Sequence, residues 1–249
     1  VRTMLDNPGT RSTRAVTWHD GLGCPVRTVT TGANTSDIPV VNAVTLNPYG
    51  KPLREWLPFT IPAGTSNVEK NDVPSVASSS LSDNKPYSEI TYDALGRVIR
   101  TATPGAAWHN ASKGVTTVYS TNAAGSVKLY RADAGASGVT QSGTWAARSL
   151  FSVKTVDEDG LTIEIFTDGA GHKVLERRGG DNDTYYVYND AGQLRYVLQP
   201  MYADKQDTGL YAFEYRYDSY GNVVYKSVPG GGAESYVYDR GRRVTFMQD

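Results

Sequence analysis

Apolar and polar residues alternate along this chain in short runs, and the clearest run lies near its C-terminal end. In YAFEYRY, Tyr211, Phe213, Tyr215 and Tyr217 share one parity while Ala212, Glu214 and Arg216 share the other. Strand side chains repeat with period two, so this pattern predicts a strand with four aromatics on one face. Similar runs, such as YSEITY, TTVYS, LTIEIF and SYVY, are short and bounded by Gly, Pro, Asn and Asp. The reading is strand, turn, strand, with little helix.

The turns repeat. An Asp or Asn is followed three residues later by Gly at Asp20/Gly23, Asn47/Gly50, Asp93/Gly96, Asn122/Gly125, Asp157/Gly160, Asp168/Gly171, Asn189/Gly192 and Asp218/Gly221. At a further place, Asp239, Arg242 stands where the glycine would be. About three such pairs are expected by chance at ordinary composition. The Asp or Asn oxygen accepts from backbone amides two residues on, and Gly tolerates the positive φ with which a hairpin leaves its turn. Proline follows the turn glycine by eight residues at Pro58, Pro104, Pro200 and Pro229. Lacking an amide donor, each should end the strand before it. Because one hairpin is marginal in water, these units are expected to pair edge to edge into a large, twisted, curved antiparallel sheet.

Composition agrees with an all-β chain: its 249 residues include 25 Gly, 12 Pro and 17 Tyr but only 3 Met. A net charge of −1 without a basic stripe argues against nucleic acid as partner. No apolar run approaches the roughly 20 residues of a membrane helix, so membrane insertion is not expected. The start, Val1-Arg2-Thr3-Met4, reads as the interior of a longer protein, and the single Cys24 has no second thiol to pair with. We read residues 1–63 as hairpin units and the Ser- and Asn-rich 64–86 as a linker or loop, with a short helix around Val68–Leu81. Residues 87–249 resume the array, interrupted by a loop at 132–147, and the whole is expected to form one continuous structural unit.

Candidate chemistry is sparse. His19, His109 and His172 lie far apart in sequence, so no zinc site is expected. The acidic run Asp157-Glu158-Asp159-Gly160 lacks the further ligands of a calcium loop and reads as a turn. There is no G-x-S-x-G elbow and no phosphate-binding G-x-x-x-x-G-K-[ST]. Glu89, Glu164 and Glu176 read as cross-strand partners, and Arg97, Arg195 and Arg216 as partners of nearby tyrosines or carboxylates. The row Tyr211, Phe213, Tyr215 and Tyr217 admits two readings: rings that stack on sugars, or a ladder that stabilises the sheet. The structural one is preferred. No catalytic residue, metal or cofactor is expected.

The strings Tyr92-Asp93-Ala94-Leu95-Gly96-Arg97-Val98 and Tyr217-Asp218-Ser219-Tyr220-Gly221-Asn222-Val223 resemble the YD repeats of the Rhs family, whose units read approximately YDxxGRLxxxxxP. The order WHDGLGCPV, YGKPLREWLPF, TPGAAWH, VDEDG and YYVYNDAGQLRYVLQP further resembles the part of Bacteroidetes-type Rhs proteins upstream of their core. In that family, and in the related insect-toxin C subunits and teneurins, YD repeats wind into a hollow β-cocoon around a variable C-terminal domain. The resemblance implies a non-catalytic wall segment of a secreted or cell-surface bacterial shell, whose partner is the C-terminal effector of the same polypeptide. The sequence carries neither the aspartyl-protease-like core motif nor a toxin domain, so an open, curved segment is expected. The alternative is a surface adhesin or carbohydrate-binding module, with glycans as partners of the aromatic row.

Overall fold

The computed structural model describes residues 2–4, 12–32, 38–110, 113–133 and 138–249, and the fold is all-β. The chain divides into two compact units, Val1–Thr117 with Asp157–Asp159, and Val118–Val156 with Gly160–Asp249.

The first unit contains β1 (Arg2–Met4), β2 (Ser12–His19), β3 (Pro25–Thr31), β4 (Val40–Leu46), β5 (Pro52–Trp56) and β6 (Phe59–Thr60). After them come α1 (Val73–Leu81), β7 (Tyr87–Tyr92), β8 (Val98–Ala102) and β9 (Val115–Thr121), the last running past the boundary at Thr117. Antiparallel pairing runs from β1 through β2 and β3 to β4. There the ladder forks. Val40 and Val41 pair with Thr60 and Phe59 of β6, whereas Val44 to Leu46 pair with Glu55 to Pro52 of β5. Pro58 separates the two partners, and a residue without an amide donor cannot continue a ladder. β5 then pairs with β7, β7 with β8 and β8 with β9.

Residues 64–86, expected as a linker or loop with a short helix, hold no strand, and their helix α1 is part of a core. Val68, with Val73 and Ala77 of α1, is buried against Val29, Val41, Trp56, Phe59 and Tyr87 in the core of this unit. The helix lies inside the expected span but starts later, at Val73, with Pro in its first turn and Ser82 in a left-handed conformation (φ 52°) at its end. Its four serines are weak helix formers, so tertiary contact sustains it. Ser80 Oγ accepts the Thr60 amide at 3.1 Å, which fastens the helix to β6.

The second unit holds β10 (Lys128–Ala132), β11 (Val139–Thr144), β12 (Phe151–Val156), β13 (Thr162–Thr167), β14 (Lys173–Arg178), β15 (Asn182–Tyr188) and β16 (Leu194–Leu198). Two short helices follow, α2 (Tyr202–Lys205) and α3 (Thr208–Tyr211), then β17 (Ala212–Tyr217), β18 (Val223–Val228), β19 (Gly232–Tyr238) and β20 (Val244–Gln248). From β12 to β20 each strand pairs antiparallel with the next in sequence. β16 and β18 end just before Pro200 and Pro229, as do β5 before Pro58 and β8 before Pro104.

The expected loop at 132–147 contains a strand: β11 pairs with β10 in a separate hairpin, with residues 134–137 outside the described residues. That hairpin covers one face of the ladder. Tyr130 meets Tyr185 edge-on at 4.9 Å, and the core beneath includes Phe166, Leu175, Val187, Tyr196, Leu198 and Ala212. Registers Leu175↔Tyr185, Tyr185↔Leu198, Val187↔Tyr196 and Leu198↔Ala212 place these residues on one face, as period two requires.

Candidate functional site

The turns that begin at Asp20, Asn47, Asp93, Asp168, Asn189, Asp218 and Asp239 share one geometry. In each, the amide three residues on donates to the backbone carbonyl of the Asp or Asn, at 2.9–3.1 Å. The side-chain Oδ1 accepts a further amide four residues on; at Asp218 it also takes Tyr220, with Tyr220 and Asn222 both at 2.9 Å. The glycines sit at positive φ, 75° at Gly96 and Gly192, and each hairpin carries a one-residue register shift beside the turn. This is a type I turn closed by a left-handed residue and a G1 bulge. At Asp239 the left-handed position is filled by Arg242, at φ 61°.

Asn122 and Gly125 behave differently. Gly125 has φ 74°, yet β9 and β10 on either side are not paired with each other. Asn122 is buried, accepts the Leu150 amide through Oδ1 at 2.8 Å and donates through Nδ2 to the Ala146 carbonyl at 2.8 Å. Its side chain is spent on pinning the 146–150 segment, so it closes no hairpin.

Successive turns are hooked together by the tyrosine that precedes the Asp or Asn. Tyr92, Tyr188, Tyr217 and Tyr238 donate through Oη to the carbonyls of Pro52, Lys173, Leu194 and Val223, at 2.7, 3.1, 2.8 and 2.8 Å. Each acceptor is the first residue of the strand leaving the preceding turn. The fourth residue after the Asp or Asn makes a second hook. Lys51 Nζ donates to the Gly96 carbonyl at 2.6 Å, and the His172 ring stacks on Tyr188 with centroids 4.5 Å apart. The second residue after the Asp or Asn points outward, leaving Leu22, Tyr49, Leu95 and Tyr220 between 72% and 87% exposed.

The turn glycines, which the sequence reading treats as equivalent, fall into two groups. A Cβ added at Gly96 would lie 2.5 Å from Lys51 Nζ, one at Gly192 would lie 3.3 Å from His172 Nε2, and one at Gly221 would lie 3.2 Å from Gln193 Nε2. There glycine serves both the backbone angle and the neighbour's side chain. Gly23, Gly50 and Gly171 keep the conformational role alone. They hold the left-handed position, at φ 82°, 76° and 88°, but a Cβ added at any of them would meet nothing within 4 Å. At these three places the backbone angle alone calls for glycine, and they contribute no packing between turns.

The expected four-aromatic face is not formed. Tyr211 ends α3, because Asp207 caps that turn by accepting the Leu210 amide at 3.1 Å, and its ring packs against the core. Phe213 and Tyr215 alternate with the buried Ala212 and Glu214, and Tyr217 is engaged as a hook. Burial instead falls on the opposite parity, where Glu214 is held by Arg216 at 2.7 Å and Arg195 at 3.8 Å.

The remaining sequence candidates are dispersed and paired. Glu89 bonds Arg54 at 2.9 Å, Glu164 accepts from Ser152 Oγ at 2.5 Å, and Glu176 lies between Lys173 (2.8 Å) and Arg178 (2.6 Å). The Lys173 ammonium, followed by Arg178, outweighs burial and holds the Glu176 carboxyl below its ordinary range. Arg97 pairs with Asp93 within its own turn. His109 is buried, its Nε2 donating to the Tyr87 carbonyl at 2.9 Å, and His172 lies 3.1 Å from Asp168. Among the described residues no group of three or more His, Cys, Asp and Glu is placed to hold a metal ion. No helix among them is long and apolar enough to cross a membrane.

Sequence reading misses a cleft of about 780 Å³ in the second unit, between the β10–β11 hairpin and the turns at Asp168 and Asn189. Trp145, Tyr130, Tyr185 and Tyr217 line it. Its only advance signal is the density of aromatics at 185–188, because the hairpin that completes it lies in a stretch of Gly, Ala and Ser.

Residues 2–121 match the family model described as Domain of unknown function (DUF6443). No curated protein sequence matches the chain. Among solved structures, 97% of the chain superposes on part of the crystal structure of TcdB2-TccC3-TEV, with TM-score 0.51 and 15% identity. It likewise superposes on the Photorhabdus luminescens Tc holotoxin pore with a TccC3 mutation (97%, TM-score 0.51, 14% identity). For the TcdB2-TccC3 crystal structure the values are 97%, 0.50 and 15%. The chain covers only 11–12% of the length of those chains, and at such identity the likeness is one of fold. Residues 2–121 thus match a single sequence family, and nearly the whole chain folds like a short segment of the TccC3-containing assemblies.

Proposed function

We propose that this chain is a non-catalytic section of the wall of an Rhs-type shell, secreted or displayed by a bacterium, which encloses the C-terminal effector of its own polypeptide. The observation that carries this reading is the hooked ladder. Each Tyr hydroxyl binds the strand leaving the previous turn, so consecutive hairpins hold one another as well as pair. Such a wall gains rigidity from repetition and needs no reactive group. The fold likeness to TccC3-containing toxin assemblies supports the Rhs assignment, as do the Tyr-Asp-x-x-Gly strings. The resemblance to the segment upstream of a Bacteroidetes-type core supports a position before the enclosing core.

The test is limited proteolysis of the full polypeptide that contains this segment, with electron microscopy of the same sample. Enclosure predicts a hollow particle whose C-terminal region is cut only after denaturant opens the wall. Cleavage of that region at equal rates in the native protein and in the isolated C-terminal fragment would refute it.

A further inference from the structure

The cleft of the second unit has the composition of a sugar site. Its volume of about 780 Å³ lies in the range of small-molecule pockets. One wall is β10, which contributes Lys128 and Arg131; the other is the turn region, which contributes Asp168 and Asp190. Arg131 and Asp190 are exposed and enter no ion pair among the described residues, so each wall offers polar groups that the fold leaves uncommitted. Half-buried Trp145 and Tyr217 line the space with them, supplying apolar ring surface.

Charge decides the class of ligand. The cationic groups lining the cleft are Lys128, Arg131, Arg195 and Arg216, and the carboxylates are Asp133, Asp168 and Asp190. Glu214, bonded to Arg216 at 2.7 Å, removes the remaining surplus. A nucleic acid or sulfated glycan requires an excess of positive charge, which this balance does not provide. A lipid would require walls without ionised groups. Hydroxyl groups both donate and accept, so acids and bases that line one cleft together with aromatic rings suit a neutral saccharide.

We propose that this cleft binds a neutral oligosaccharide, held between Arg131 on β10 and Asp190 on the facing turn, with the ring of Trp145 beside it. The proposal does not depend on the shell reading, since a wall segment and a free-standing module would present the same cleft.

Calorimetry of the purified chain with cellohexaose, maltohexaose, mannohexaose and N-acetylchitohexaose tests it, with heparin hexasaccharide as the polyanionic comparison. At least one neutral oligomer should bind. Arg131→Ala and Asp190→Ala should each weaken that binding about tenfold, as loss of one polar contact does, and Tyr49→Ala in the first unit should not change it. Since Trp18, Trp56 and Trp108 lie in the first unit, fluorotryptophan NMR of the unaltered protein should show the ligand shifting Trp145 alone. That measurement stands even if a variant misfolds. No binding of any neutral oligomer at millimolar concentration, unchanged affinity in either folded cleft variant, tighter binding of heparin, or an unmoved Trp145 would overturn the proposal.

Discussion

The hydroxyl of Tyr217 lies 2.8 Å from the carbonyl oxygen of Leu194, across the boundary between one hairpin and the next. Leu194 begins the strand that leaves the Asn189 turn, and Tyr217 ends the strand that enters the Asp218 turn. The bond therefore fixes the spacing of two consecutive turns. Tyr217→Phe keeps the ring and deletes the donor, so it should destabilise the chain by about 0.5–1.5 kcal/mol. Urea denaturation reads this as a lower midpoint at unchanged slope. Tyr238→Phe should do the same through Val223. A midpoint unmoved in both variants would show that the hooks contribute nothing.

Tyr196 should respond differently. Its hydroxyl is fully buried and makes no hydrogen bond, and burial, followed by the charge of Glu214, pushes its pKa up to about 12. Removing an unsatisfied buried donor is nearly free or favourable, so Tyr196→Phe should change stability at pH 7 by less than about 1 kcal/mol. At higher pH Tyr196 adds a penalty that only the wild type carries. Above the unfolded tyrosine value of 10.0 the unfolded chain releases a proton that the folded chain keeps until about 12. Stability is thus full below pH 10 and declines as pH rises from there to about 12, by on the order of 2 kcal/mol from this residue. Denaturation series at neutral and alkaline pH check this: the alkaline decline should be smaller in Tyr196→Phe than in wild type.

Arg242 is the one side chain in a position that the other turns of this kind give to glycine. Its φ of 61° is left-handed, where a Cβ costs an L-residue about 1–2 kcal/mol. Arg242→Gly should therefore raise stability, by about 1 kcal/mol after the extra entropy of glycine in the unfolded chain. Gly96→Ala should lower it, since the new Cβ meets both a φ of 75° and Lys51 Nζ. Thermal melts of the two variants should shift in opposite directions.

The turns were legible in the sequence because their chemistry is local: Asp218 meets its amide partners within four residues, and no distant contact is needed to recognise it. Strand ends were legible for the same reason, since Pro200 and Pro229 act on the ladder beside them. What failed depended on tertiary contact. Asn122 has the turn spelling but turns its amide group toward residues 146–150, more than twenty positions away. Gly171 and Gly192 have the same spelling, yet only the second lies under a neighbour's side chain, a difference that the pairing of hairpins creates. Tyr211 continues the period-two pattern, yet Asp207 draws it into a helical turn. Residues 64–86 look polar enough for a linker or loop and stay largely exposed, but Val68, Val73 and Ala77 anchor them in the core of the first unit. The tyrosine hooks had a sequence signal, Tyr before Asp or Asn, whose acceptor is fixed only by the pairing of neighbouring hairpins.

The turn carboxylates finally give the acid side of the stability curve. At Asp218 the Asn222 side chain, acting with the Asn222 and Tyr220 amides against desolvation, holds the carboxyl below its ordinary 3.8. At Asp168 burial opposes the shift, but the His172 amide, the His172 ring and the Ala170 amide outweigh it, so this carboxyl also lies low. A depressed folded pKa means that the stabilisation is fully present above the unfolded value and is lost as pH falls through the folded one. The chain should therefore weaken progressively below about pH 4. Asn47 and Asn189 build the same turn with an oxygen that does not titrate, accepting amides at 2.9–3.1 Å and 2.8 Å. Asp168→Asn together with Asp218→Asn should then leave the neutral-pH fold in place and flatten the acid decline, as followed by urea midpoints between pH 7 and pH 3. An acid limb as steep as that of the wild type would mean that carboxylates outside these turns govern it.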